Sequence, residues 1–297
     1  MGRLPLALLL AAILPSAHPA VAAPEATAVK ASPSPGCERS GFATGRRLER
    51  SIDVDGVERR YILDVPDALK PGEPAALLFD FHGVGHSGAG VWQVSGFRDL
   101  APRERFITVY PDGLPVEFSR GDRKFGGPGW EIRVLAPNRD VDFTIALLDR
   151  LEGEYCIDRA RVFSTGFSNG GYFSHVLACT HADRFAAVAP VSGGWLPWPC
   201  KPARPIPVLI HHGRQDDVIG VTEAREAFAA WVEIDGCATP VPPAGEPGAQ
   251  GIACRVSSDC RGGVGVEYCE GDFAHRWPPS ATGRIWEFLR AHPLPPR

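Results

Sequence analysis

Residues 166–170 read Gly-Phe-Ser-Asn-Gly, a G-x-S-x-G pentapeptide with Ser168 at its centre. A serine hydroxyl is a poor nucleophile at neutral pH and needs an adjacent base. That base needs a third group to fix its tautomer and stabilise the imidazolium that forms. His275 is the candidate base, and Asp216, with Asp217 beside it, is the candidate orienting acid. Such a trio would attack a carbonyl carbon and carry its acyl group on the serine. The charge developing on the carbonyl oxygen needs preorganised donors. The backbone N–H of Asn169, next after the nucleophile, and that of Val84, in the glycine-rich loop His82–Gly88, are the candidates.

Each residue has a plainer reading. The pentapeptide and the His82 loop could be simple turns, a loop Asp commonly caps a turn, and His275 could be a surface histidine. His82 and His86, four apart, could suggest zinc, but a loop broken by Gly83 and Gly85 is not the helix a two-His motif needs. The adjacent His211 and His212 point to opposite faces of a strand and read as structural. The expectation is therefore catalysis without a metal or other cofactor.

Chemistry of this kind requires the three groups to meet in loops at the carboxyl ends of parallel strands. The apolar, β-branched run Arg161–Phe167 predicts a buried strand, and Asn169–Thr180 a helix, with the serine on the sharp turn between them. Further strands are predicted at Ala75–Phe81, Phe106–Tyr110, Phe185–Val191, Pro207–His212 and Gly263–Cys269. Helices are predicted at Val141–Tyr155, Thr222–Ile234 and Ala281–His292. Asp216 follows one strand and His275 the last, so the chain order is Ser, Asp, His. Alternating strands and helices predict an α/β fold, a mostly parallel sheet with helices on both faces. Arg46–Pro66, turning at Asp55-Gly56, predicts an antiparallel hairpin at one edge. Residues 120–139 read as a connection at the rim of the site.

A chain of 297 residues with 44% hydrophobic content can bury one large α/β core. A net charge of −4 without basic runs gives no reason to expect a nucleic-acid partner. Arg3, the apolar Leu4–Leu14 and Ala20-Val21-Ala22 read as a secretory signal over residues 1–22, too short to span a bilayer. Residues 23–36, rich in Pro, Ala and Ser, read as a disordered linker, and 37–297 as a single catalytic domain. Eight cysteines with no C-x-x-C spacing fit disulfides in an extracellular or periplasmic protein, with no membrane partner after signal cleavage.

The run R-V-F-S-T-G-F-S-N-G-G, the later L-A-C at Leu177–Cys179 and F-A-A-V-A-P-V-S-G at Phe185–Gly193 resemble secreted esterases. The group is that of the feruloyl esterases and poly(3-hydroxybutyrate) depolymerases, α/β-hydrolases close to carbohydrate esterase family 1. F-H-G-V-G-H-S-G at Phe81–Gly88, Y-P-D-G at Tyr110–Gly113 and H-G-R-Q-D at His212–Asp216 fit the same pattern. The resemblance covers nearly all the chain after Cys37. It implies Ser168 as nucleophile, His275 as base, and Asp216 rather than Asp217 as acid. It also implies the disulfides Cys37–Cys156, Cys179–Cys200, Cys237–Cys260 and Cys254–Cys269. Two departures stand out: Asp272-Phe273-Ala274 replaces glycines common before the histidine, and Asp217 stands where the family often has Pro. Phe273, Trp130 and Trp277 are candidate substrate-binding residues, and Trp195 and Trp198 lie in similar connections. The implied activity is a secreted serine esterase acting on feruloyl or acetyl esters of plant polysaccharide. The alternatives are a polyester depolymerase with the same machinery, a peptidase of related fold, and an inactive hydrolase-fold protein that binds polysaccharide.

Overall fold

Strand β3 (Ala75–Phe81) is buried along its whole length, as a strand covered on both faces must be. The structure, a computed structural model, describes residues 30–134, 136–195, 199–238 and 251–295. The signal expected over residues 1–22 lies outside these. Beside β3 run β4 (Ile107–Pro111), β7 (Ile157–Phe167), β8 (Ala187–Val191), β9 (Val208–Gly213) and β11 (Val266–Gly271), all parallel. The hairpin β1 (Gly45–Val54) and β2 (Val57–Val65) adds antiparallel strands at one edge, as expected. At the other edge β10 (Ile252–Ser257) pairs antiparallel with β11, a strand for which the sequence reading gave no bounds. The sheet order is β1-β2-β4-β3-β7-β8-β9-β11-β10.

Alternation along β3 separates two cores. Leu77, Phe79 and Phe81 pack with Leu147 and Leu151 of α3 (Arg139–Glu154), Phe173 and Val176 of α4 (Asn169–Thr180), and Phe228 and Trp231 of α5 (Val221–Ile234). Ala76 and Leu78 face Phe97 and Ala101 of α2 (Phe97–Glu104) and Ile285 and Leu289 of α6 (Ala281–Ala291). Two short helices, α1 (Gly88–Val94) and α2, fill the stretch between β3 and β4 that carried no predicted element. All four disulfides implied by the resemblance are present. Cys254 and Cys269 sit directly opposite each other on β10 and β11. No helix among the described residues is long and apolar enough to cross a membrane.

The expected linker ends earlier than composition suggested. Ser34 is buried: its hydroxyl donates to the Tyr155 carbonyl at 2.8 Å and accepts from the Ile157 N–H at 2.9 Å. A Cβ on Gly36 would lie 2.1 Å from that same carbonyl oxygen, so only glycine permits the approach. Ser32 donates its N–H to Asp158. Residues 32–36 thus belong to the folded domain, held by contacts their small polar composition does not advertise.

Asp80 of β3 is fully buried on the face toward α1 and α2, where neither carboxyl oxygen meets hydrogen-bond geometry among the described residues and the nearby Ser95 hydroxyl offsets the burial only in part. Burial pushes this carboxyl up to about 8. A group that holds its proton more tightly when folded stabilises the fold fully below its unfolded pKa, about 4 for an aspartate, and loses that contribution as pH rises through the folded value. The expected outcome is that, between pH 5 and about 8, the wild-type unfolding midpoint falls more steeply than that of Asp80→Asn. Parallel pH profiles from thermal denaturation check it.

Candidate active site

Strand β7 ends at Phe167 and helix α4 begins at Asn169, leaving Ser168 alone to make the turn. Its backbone adopts φ 55° and ψ −117°, a conformation costing roughly 1–3 kcal/mol for a non-glycine residue. The surroundings hold it there. The Ser168 N–H donates to Val191 of the adjacent strand at 2.9 Å, and its carbonyl accepts the first helical bond, from Tyr172, at 3.0 Å. A Cβ on Gly166 would lie 2.5 Å from the Gly170 carbonyl oxygen, and one on Gly170 would lie 2.2 Å from that of Phe81. Both flanking glycines are therefore required for α4 to press against β7 and β3.

The loops after β9 and β11 bring the other two groups to this turn. His275 Nε2 lies 2.9 Å from Ser168 Oγ, and His275 Nδ1 lies 2.7 Å from Asp216 Oδ2. An ionised carboxylate only accepts, so Nδ1 carries the proton and the neutral ring's Nε2 accepts from the serine hydroxyl. Asp216 Oδ1 accepts the N–H groups of Val218 and Ile219 at 3.0 and 2.8 Å. Burial opposes the charge on Asp216, but the His275 hydrogen bond, the Ile219 N–H and the nearby His275 and His212 rings outweigh it and lower its pKa. Behind it, buried His212 donates Nε2–H to the Ile219 carbonyl at 2.8 Å. Asp217 is exposed.

The loop after β3 closes the other side. A Cβ on Gly83 would come within 3.3 Å of Ser168 Cβ. The N–H groups of Val84 and Asn169 have no acceptor among the described residues, and both residues line the cavity over the serine. Their arrangement can receive a negatively charged oxygen.

Above this loop stands a hairpin, β5 (Leu114–Arg120) and β6 (Arg123–Gly129); β6 falls within the 120–139 stretch read as a connection, and β5 carried no predicted element. Period-two alternation at Leu114, Val116 and Phe118 was its signal, diluted by Gly126, Gly127, Pro128 and Gly129 on the return strand. The hairpin and the residue that follows it, Trp130, bind both the His82–Gly88 loop and Asn169. Gly85 donates its N–H to the Pro128 carbonyl at 2.7 Å. The Asn169 side chain accepts from the Trp130 N–H at 2.7 Å and donates to the Trp130 carbonyl at 3.1 Å. The cavity beneath it measures about 720 Å³. Val116, Phe118, Phe125, Ile132, Phe167 and Ile219 supply apolar walls, and a Glu131–Arg133 ion pair stands at the rim. Phe118 and Phe125 stack with ring centres 5.3 Å apart.

The aromatic residues singled out for substrate contact behave otherwise. Trp130 reaches the cavity wall but is 1% exposed, enclosed by Phe81, Phe173 and His82, with its indole N–H on the His82 carbonyl at 2.8 Å. It has no open ring face on which a substrate could stack. Phe273 is buried against Gly213 and Gly271, where its bulk shapes the loop carrying His275. Trp277 lies in the other core, against Phe97, bonded to Thr282. Trp195 packs against Trp231 and His175, and Trp198 lies outside the described residues. The lining residues Val116, Phe118, Phe125 and Ile132 had no distinguishing signal beyond apolarity.

No family model matches the chain. It is 32% identical over 298 residues to feruloyl esterase D of Neurospora crassa, covering 93% of this chain and 94% of that protein. To feruloyl esterase C of Emericella nidulans it is 29% identical over 281 residues, covering 89% and 94%. Among solved structures, an acetyl xylan esterase from Aspergillus awamori superposes with a TM-score of 0.64 at 17% identity, over 78% of this chain and 94% of that one.

The close approach at the turn has a direct test. Gly170→Ala should cost about 1–3 kcal/mol through overpacking and slow the reaction of Ser168 with a fluorophosphonate at least about tenfold. Gly153→Ala, in α3 where an added Cβ would meet nothing within 4 Å, should instead stabilise by about 0.4–1 kcal/mol with labelling unchanged. Denaturant melts and labelling kinetics of the two variants check both.

Proposed function

The chain belongs to the feruloyl esterase family and is a carboxylic ester hydrolase, and within that family we propose an exported enzyme that cleaves feruloyl or acetyl esters of plant polysaccharide through an acyl-serine. The observation carrying this reading is the continuous hydrogen-bonded path Ser168 Oγ, His275, Asp216 at the floor of the cavity.

Ser168 Oγ attacks the ester carbonyl carbon while His275 Nε2 takes its proton. Asp216, held as a carboxylate, keeps Nδ1–H directed at itself and stabilises the imidazolium. The carbonyl oxygen becomes negative and is received by the N–H groups of Asn169 and Val84. As the oxygen re-forms its double bond, the C–O bond to the alcohol breaks and His275 returns the proton to the departing alkoxide. A water then enters, His275 takes one of its protons, and the hydroxide adds to the acyl carbon. Collapse releases the carboxylic acid and restores the serine. Apolar walls around a cavity of about 720 Å³ suit a hydroxycinnamoyl or smaller acyl group. Four disulfides fit an oxidising destination for the protein.

Ser168→Ala should abolish hydrolysis of p-nitrophenyl acetate and methyl ferulate while the unfolding midpoint stays near wild type; retained turnover would refute the assignment. Asp216→Asn should lower kcat by on the order of 10⁴ through loss of the correct tautomer, whereas Asp217→Asn should stay within about twofold. Comparing methyl ferulate, acetylated xylan and 3-hydroxybutyrate oligomers sorts the acyl group, and preference for the oligomers would overturn the polysaccharide reading.

A further inference from the structure

A peptide unit is planar, so its C=O and N–H point in opposite directions, and holding one fixes the other. The carbonyl of Gly83 and the N–H of Val84 belong to one such unit. His82 Nδ1 lies 2.7 Å from the Gly83 oxygen, while the Gly113 N–H points at His82 Nε2 at 2.9 Å. A backbone N–H can only donate, so Nε2 accepts and Nδ1 carries the ring proton toward Gly83. The His86 N–H adds a longer bond to the same oxygen at 3.2 Å. One peptide earlier, the His82 carbonyl is held by the Trp130 indole. Both side chains are about 1% exposed. Burial, only partly offset by the Gly83 bond and nearby carboxylates, lowers the His82 pKa, so the ring stays neutral and keeps this single tautomer.

We propose that His82 and Trp130 are positioning residues for ester hydrolysis: their side chains lock the two peptides preceding Val84, so that the Val84 N–H faces the reacting oxygen instead of turning away. Neither side chain touches the substrate's reacting atoms. The inference rests on the reading of Ser168 as nucleophile and Val84 as donor. A flipped Gly83–Val84 peptide would remove one donor and present a carbonyl to the forming anion. That loss acts in the transition state and leaves ground-state binding almost unchanged.

Two substitutions at His82 divide its functions. Asn carries an amide N–H near the position of Nδ1 and can still donate to Gly83. Gln carries an amide oxygen near the position of Nε2 and can still accept from Gly113. Turnover of p-nitrophenyl butyrate is measured per active serine, titrated with a fluorophosphonate. The expectation is that His82→Gln lowers kcat roughly 10- to 100-fold with KM within about threefold, while His82→Asn keeps kcat within about threefold. Equal kcat values in the two variants, or a loss in KM alone, would overturn the proposal. Should neither variant fold, Trp130→Phe preserves ring packing but removes the N–H to His82. A fall in kcat of about tenfold at constant KM supports the proposal, and an unchanged kcat overturns it. Ser168→Ala run alongside separates the two levels: activity surviving there removes the serine mechanism, whereas its loss together with a normal His82→Gln removes only this inference.

Discussion

At Gly170 the first turn of α4 rests on the Phe81 carbonyl with no room for a side chain. Much of the geometry around Ser168 follows from that contact. It sets the helix that carries Asn169 directly against the end of β3, from which the His82–Gly88 loop departs. Two N–H groups distant in sequence thereby become neighbours beside one hydroxyl. The strained backbone at Ser168 is a cost of the same arrangement, borne because β7, β8 and α4 are each fastened by their own packing.

The juxtaposition of Ser168, His275 and Asp216 was legible in the sequence because its signal is combinatorial. A G-x-S-x-G alone is weak; placed between an apolar run and a helix, and followed in order by Asp216 and His275 after later strands, it is demanding. Parallel strands announce themselves as near-continuous apolar runs: β3 and α4 were anticipated to the residue, whereas β7 begins at Ile157, before the predicted start at Arg161. The choice of Asp216 over Asp217 came from the resemblance, not from composition. Its structural basis is a loop in which the N–H groups of Val218 and Ile219, two and three residues on, both bond the carboxylate of Asp216.

What the sequence hid is what depends on partners remote in the chain. Trp130 and Trp277 were candidates for substrate contact because aromatic residues in connections often are, yet each indole N–H finds an acceptor within the protein and each ring joins a core. The segment 32–36 looked like a linker because Pro, Ser and Gly carry little apolar area. It is fixed by hydrogen bonds to residues 155–158, which no local pattern can reveal. The hairpin β5–β6 was missed because glycine and proline blur a strand's alternation, and here those residues allow β6 to lie against the His82 loop.

That hairpin has two attachments of different character. Its tip carries the stacked Phe118 and Phe125 over the cavity, while its base is bonded through Pro128 and Trp130 to Gly85 and Asn169. Side chains near the tip can change size or polarity without disturbing the anchored end. Lineage divergence in substrate taste should thus accumulate in the outer half of this ribbon. The inner half, sharing its backbone with the machinery of turnover, should drift far more slowly.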